Sequence, residues 1–84
     1  MSEIDVGHVS DFFSKPLVAG ITLTDTLIVG DKIHIKGHTT DIELTVDSMQ
    51  LNNVNVSKGN SGDGVGIKVP DRVRPGDKIY KITD

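Results

Sequence analysis

The chain has 84 residues, 36% hydrophobic and only 4% aromatic, with no cysteine and no tryptophan. Its formal charge of −3 excludes broad, charge-driven nucleic-acid binding and leaves room for a local basic patch. The absence of cysteine excludes disulfides, thiolate zinc sites and cysteine nucleophiles, and leans towards a reducing compartment.

Met1-Ser2-Glu3 opens the chain with an acid and no apolar h-region follows, so no signal peptide is expected. No apolar run approaches the roughly 20 residues of a membrane helix. A cytoplasmic protein without membrane association is the expectation.

Helical spacing is hard to find, and glycine or aspartate punctuates the chain in the manner of an all-β domain. Ile4–Val9 reads as a first strand that runs on through Phe12-Phe13 with a bend. Ser14-Lys15-Pro16 offers a turn. From Val18 to Thr24 the chain alternates, with Ala19, Ile21 and Leu23 facing a core. Lys32–Lys36 is the cleanest strand, with Ile33 and Ile35 on a dry face and Lys32, His34 and Lys36 on a wet one. Thr40–Val46 repeats the pattern with Ile42, Leu44 and Val46 inward, and a β-bulge near Ser48 is expected to restore the phase for Met49 and Leu51. Leu51–Val56 reads as one further short strand with an Asn-Asn turn ahead of it, and Lys58–Gly64 as the most flexible segment. Val65–Val69 and Lys78–Ile82 read as the last strands, separated by a loop at Asp71–Pro75. Residues 1–84 then form a single domain, a small closed antiparallel β-barrel of six or seven strands, since closure hides the edges so small a sheet would expose.

Gly-Asp-Lys-Ile occurs twice, at Gly30 and at Gly76. A phosphate-binding loop needs G-x-x-x-x-G-K-[ST] between a strand and a helix, and each copy here runs directly into a strand. The residue types instead describe a turn: glycine supplies the positive φ and aspartate bonds back to the turn's amides. Gly62-Asp63 is a third use of the same device.

Four segments in order, TLIVGDKIHIKG, ELTVDSMQ, GNSGDGVGIKV and VRPGDKIYK, resemble domain 2 of the translational GTPases, the β-barrel of elongation factor Tu and its relatives. The resemblance runs from about Val6 to Ile82. GHTTD at Gly37–Asp41 is similar to the small stand-alone members and to the C-terminal barrels of some collagenase-like peptidases. The resemblance implies a non-enzymatic, translation-associated module that contacts tRNA, the ribosome or a translation protein. A protein–protein adaptor acting with a separately encoded factor is the alternative. The Glu3–His8 start lacks the aromatic of the family's aminoacyl-binding segment, so those contacts are not carried over.

The basic residues are the candidate contacts: Lys32, His34 and Lys36 on one strand face, with Arg72, Arg74 and Lys78 in the last loop and strand. An ordinary solvated surface is the competing reading. His34, His38, Asp41 and His8 invite a metal assignment, but a strand separates His34 from His38 by about 13 Å along its axis. No metal, no cofactor and no DNA partner are expected. Nothing marks a nucleophile or a general acid–base pair, so no enzyme is expected either. Phe12-Phe13 is a core pair or an exposed docking patch.

Overall fold

The computed structural model describes residues 2–83, and every regular element in them is a strand. They are β1 (Ser2–Phe13), β2 (Val18–Leu23), β3 (Leu27–Ile28), β4 (Lys32–Lys36), β5 (Asp41–Thr45), β6 (Met49–Leu51), β7 (Val54–Val56), β8 (Lys58–Gly59), β9 (Gly64–Lys68) and β10 (Lys78–Thr83). Among the described residues no helix is long and apolar enough to cross a membrane.

Eight strands form one antiparallel sheet in the order β5-β4-β10-β1-β2-β9-β6-β7, and β3 pairs with β8 apart from it. The all-β antiparallel expectation is met. The expected closed ladder of six or seven strands is not what the pairing gives, because β5 and β7 are ends. Both ends are nevertheless tied to the segment that leaves β3. Val29 N–H donates to Ser57 O at 2.9 Å, just past β7, and Gly30 N–H donates to Val46 O at 2.8 Å, just past β5.

Period-two alternation fixes which face is dry. Ala19, Ile21 and Leu23 on β2, Ile33 and Ile35 on β4, Val65 and Ile67 on β9, and Ile79 on β10 are all at most 2% exposed. They join Val6, Val9, Leu27, Val46, Met49, Val69 and Val73 in one cluster, with Ile42 and Leu44 of β5 and Val56 of β7 packed at its edge. One sheet face can bury itself in this way only by curling round, since among the described residues no helix covers it.

The bend expected in β1 is two bulges. The register slips between Asp5 and Gly7 against β10, and between Val9 and Asp11 against β2. Each slip lets one long strand serve two neighbours that diverge, and adds local twist. The phase slip near Ser48 has a different cause. The chain leaves β5 at Thr45, crosses the open end of the sheet, and enters β6 at Met49 on its far side. Val46 and Met49 bury as separate anchors of that crossing, each 1% exposed. Leu51–Val56 is also not one strand. Asn52 and Asn53 both have positive φ, 52° and 65°, and make a two-residue turn joining β6 to β7 in the manner of a type I′ hairpin.

The Gly-Asp expectation holds at all three places. Ile28–Asp31, Asn60–Asp63 and Arg74–Asp77 each close a turn in which the first and fourth residues bond twice. The aspartate N–H donates to the first carbonyl at 2.9–3.0 Å. The aspartate carboxylate accepts the first residue's N–H at 2.9 Å. Gly30, Gly62 and Gly76 hold φ of 102°, 93° and 96°, a region that only glycine enters cheaply.

Candidate functional site

The wet face of β5, β4, β10 and β1 carries most of the candidate contacts. Burial of Ile33 and Ile35 forces Lys32, His34 and Lys36 outward. The register then sets Lys36 between Asp41 and Lys78, and His34 between Glu43 and Tyr80. Carboxylates are interleaved with these cations. Lys78 Nζ lies 3.8 Å from Asp5 Oδ2 and Lys36 Nζ 4.0 Å from Glu3 Oε1, while Lys36 also sits 6.0 Å from the Tyr80 ring centre. Exposed pairs of this kind are worth about 0–1 kcal/mol each. Three lysines thus face four carboxylates (Glu3, Asp5, Asp41 and Glu43), and the face is a mixed-charge surface rather than a basic one.

His34 is the most tightly held member. Its Nδ1 meets Glu3 Oε2 at 2.7 Å, and its Nε2 meets Asp41 Oδ1. The hydrogen bond to Glu3 and then that to Asp41 hold the imidazole above its ordinary pKa, and the His34 bond holds Asp41 below the usual carboxylate range. Of the four residues weighed for a metal, the structure brings only His34 and Asp41 together. Among the described residues no group of three or more His, Cys, Asp or Glu has the spacing to hold a metal ion. Glu3, 31 positions from His34, carries no local sequence signal.

Arg72 and Arg74 lie elsewhere, in the loop between β9 and β10. With Asp11, Phe12, Val73 and Pro75 they line a shallow depression of about 350 Å³. Their side chains are exposed, and their N–H groups donate to Asp71 and Asp77. The six expected contact residues therefore form two separate surfaces.

A further depression was missed by sequence reasoning. It is an open trough of about 550 Å³ on the outer face of β1, β2, β9 and β6. Gly20 of β2 pairs with Gly66 of β9 along its floor, Phe13 and Pro16 stand on one side, and Asn52 and Asn53 on the other. Phe12 turns towards the core while Phe13 is 54% exposed, so the aromatic pair divides between both readings. Asp11 is the single titratable group in the lining, and nothing there marks a nucleophile.

The known proteins that the chain is similar to are named as peptidases rather than translation factors. No known family's profile matches it. It is 40% identical over 83 residues to a protein of Methanocaldococcus jannaschii named as an uncharacterized protease, covering 98% of this chain and 20% of that protein. It is 33% identical over 82 residues to a collagenase of Porphyromonas gingivalis, again covering 20% of it. The chain thus spans about a fifth of the length of these relatives. Its fold matches the C-terminal domain of a Geobacillus thermoleovorans protein named as a candidate U32 peptidase, with a TM-score of 0.88, 14% identity, 93% of this chain and 99% of that one.

These findings overturn the kinship with elongation factor domain 2, and with it the translation-associated, RNA-binding function. The adaptor alternative gains nothing from them. The expectation of no enzyme is corrected as well, because the relatives are named protease and collagenase. The physical reason for the misreading is that strand alternation and Gly-Asp turns are requirements of a small curled sheet, and such requirements are shared between families of unlike function.

Proposed function

We propose that this chain is the β-domain of a U32-type peptidase system, working with a catalytic part to handle polypeptide substrates. The observation that carries the reading is the 40% identity spread over 98% of the chain, together with a fold that covers 99% of a C-terminal domain from a protein named as a candidate U32 peptidase. In this reading residues 1–84 act as one domain. Its curled sheet acts as a barrel, with the segment after β3 serving as the seam between β5 and β7, a role supported by the bonds from Val29 and Gly30 to Ser57 and Val46.

The test is reconstitution. The Methanocaldococcus jannaschii protein is produced without its matching segment, and this chain is added in trans. A complex on size-exclusion chromatography and a gain in cleavage of denatured collagen or a labelled peptide are expected. Failure both to bind and to change cleavage would overturn the reading.

A further inference from the structure

We propose that His34 is a proton-operated clasp, tying end strand β5 to β1 across β4 and β10, and releasing Asp41 when its ring loses a proton. The geometry requires two donors. An ionised carboxylate only accepts hydrogen bonds, and both ring nitrogens of His34 face carboxylate oxygens, Glu3 Oε2 at Nδ1 and Asp41 Oδ1 at Nε2. The ring that satisfies both is the imidazolium. A neutral ring keeps one N–H and turns a lone pair towards the other carboxylate, so one of the two bonds must break.

Asp41 is the partner that leaves. Its side chain is 80% exposed against 38% for Glu3, so water takes over its hydrogen bonds readily. Glu3 also keeps Lys36 within 4.0 Å. Asp41 is the first residue of β5, which has a strand neighbour on one side only, so its release loosens an end of the sheet.

The side chains that face His34 come from four strands. Lys32 and Lys36 flank it on β4, Asp41 and Glu43 face it from β5, Tyr80 and Lys78 from β10, and Glu3 and Asp5 from β1. Histidine is the side chain whose ordinary pKa lies between pH 5 and 8. Glu3 and Asp41 both favour its charged form. The sign follows from that: the clasp's contribution is fully present below the ordinary histidine pKa of 6.5 and is lost as pH rises through the higher folded value.

The test is an NMR titration of the intact chain, with His8 and His38 as internal references, alongside hydrogen exchange of β5 amides. In the wild type His34 should titrate above 6.5. Asp41→Asn should lower that value, each unit of the fall corresponding to about a tenfold change in the proton-coupled equilibrium. Exchange of β5 amides, corrected for intrinsic base catalysis, should accelerate as His34 deprotonates and stay level in His34→Gln. If His34→Gln does not fold, Asp41→Asn decides, since it alters only an exposed side chain. A His34 that titrates at or below 6.5, a value indifferent to Asp41→Asn, or β5 exchange that ignores the titration would overturn the clasp.

Discussion

Asp77 should be more costly to lose than Asp63, although both make the same turn bonds. Asp77 is 6% exposed, and the Arg74 N–H that it accepts is partly buried, whereas the Ile28 and Asn60 N–H groups held by Asp31 and Asp63 are exposed. Truncating Asp63 hands its partner to water, so Asp63→Ala should cost about 1 kcal/mol, as for a helix cap. Truncating Asp77 leaves a partly buried donor unmet and removes a charge-assisted bond, which together should cost about 2–4 kcal/mol. Against a total of about 4–13 kcal/mol for a chain of this length, that is a large loss.

Gly37 supplies the control. A Cβ built on Gly37 would lie 1.8 Å from Asp77 Oδ1 and 2.4 Å from its Cγ, so Gly37→Ala must push the carboxylate off Arg74. Its cost should therefore contain most of the cost of Asp77→Ala, and the double variant should be less destabilised than the two singles added, by about 2 kcal/mol. Urea unfolding followed by circular dichroism measures all of these, there being no tryptophan and a single tyrosine to report by fluorescence. Equal costs for Asp63→Ala and Asp77→Ala, or additivity between Gly37→Ala and Asp77→Ala, would refute the reasoning.

Asn53→Gly turns the β6–β7 connection into Asn-Gly, the preferred pair where both φ angles are positive, and should raise stability by about 0.5 kcal/mol in the same urea assay. The acid limb is carried partly by Asp41. Its folded pKa is depressed by His34, so its contribution is present above the ordinary carboxylate value and is lost as pH falls through the folded one. Thermal unfolding at pH 5.5 should therefore separate wild type from Asp41→Asn, and the gap should close in strong acid.

The strands with clean alternation were legible because one face of each touches only the core, so apolar and polar residues had to alternate. β2, β4 and β9 follow directly from that rule. The three Gly-Asp turns were legible because their bonds join residues three apart. What escaped was non-local or needed a whole-sheet view. Met49 looked like a continuation of the preceding strand past a bulge because a crossing between opposite ends of a sheet leaves no composition signal. The Asn52-Asn53 turn was legible in composition, but the pairing of Leu51 with Val54 across it appears only once the hairpin is built. At the candidate site, Lys32, His34 and Lys36 were correctly assigned to one outer face. The pairing of His34 and Lys36 with Glu3 depended on β10 lying between β4 and β1, which no spacing within the chain reveals.

A glycine that the fold needs says little about function, and one that it does not need says more. Gly30, Gly62 and Gly76 answer to a turn, and Gly37 answers to a carboxylate. Gly64 answers to neither. It lies on β9 opposite Thr22 with no positive φ, and a Cβ there would meet nothing within 4 Å. Because Val65 points into the core, Gly64 points outward into the lining of the large trough. Glycine within a strand costs about 0.5–1 kcal/mol relative to alanine, and threonine suits a half-exposed strand better still. Gly64→Thr should therefore raise the urea midpoint while narrowing the trough, and a destabilised variant would show that the backbone at Gly64 does require glycine. Reconstitution with the truncated peptidase separates the remaining outcomes. A more stable variant that supports cleavage as well as wild type would mean that the trough is idle, and a more stable variant that supports it less would mean that its width is used.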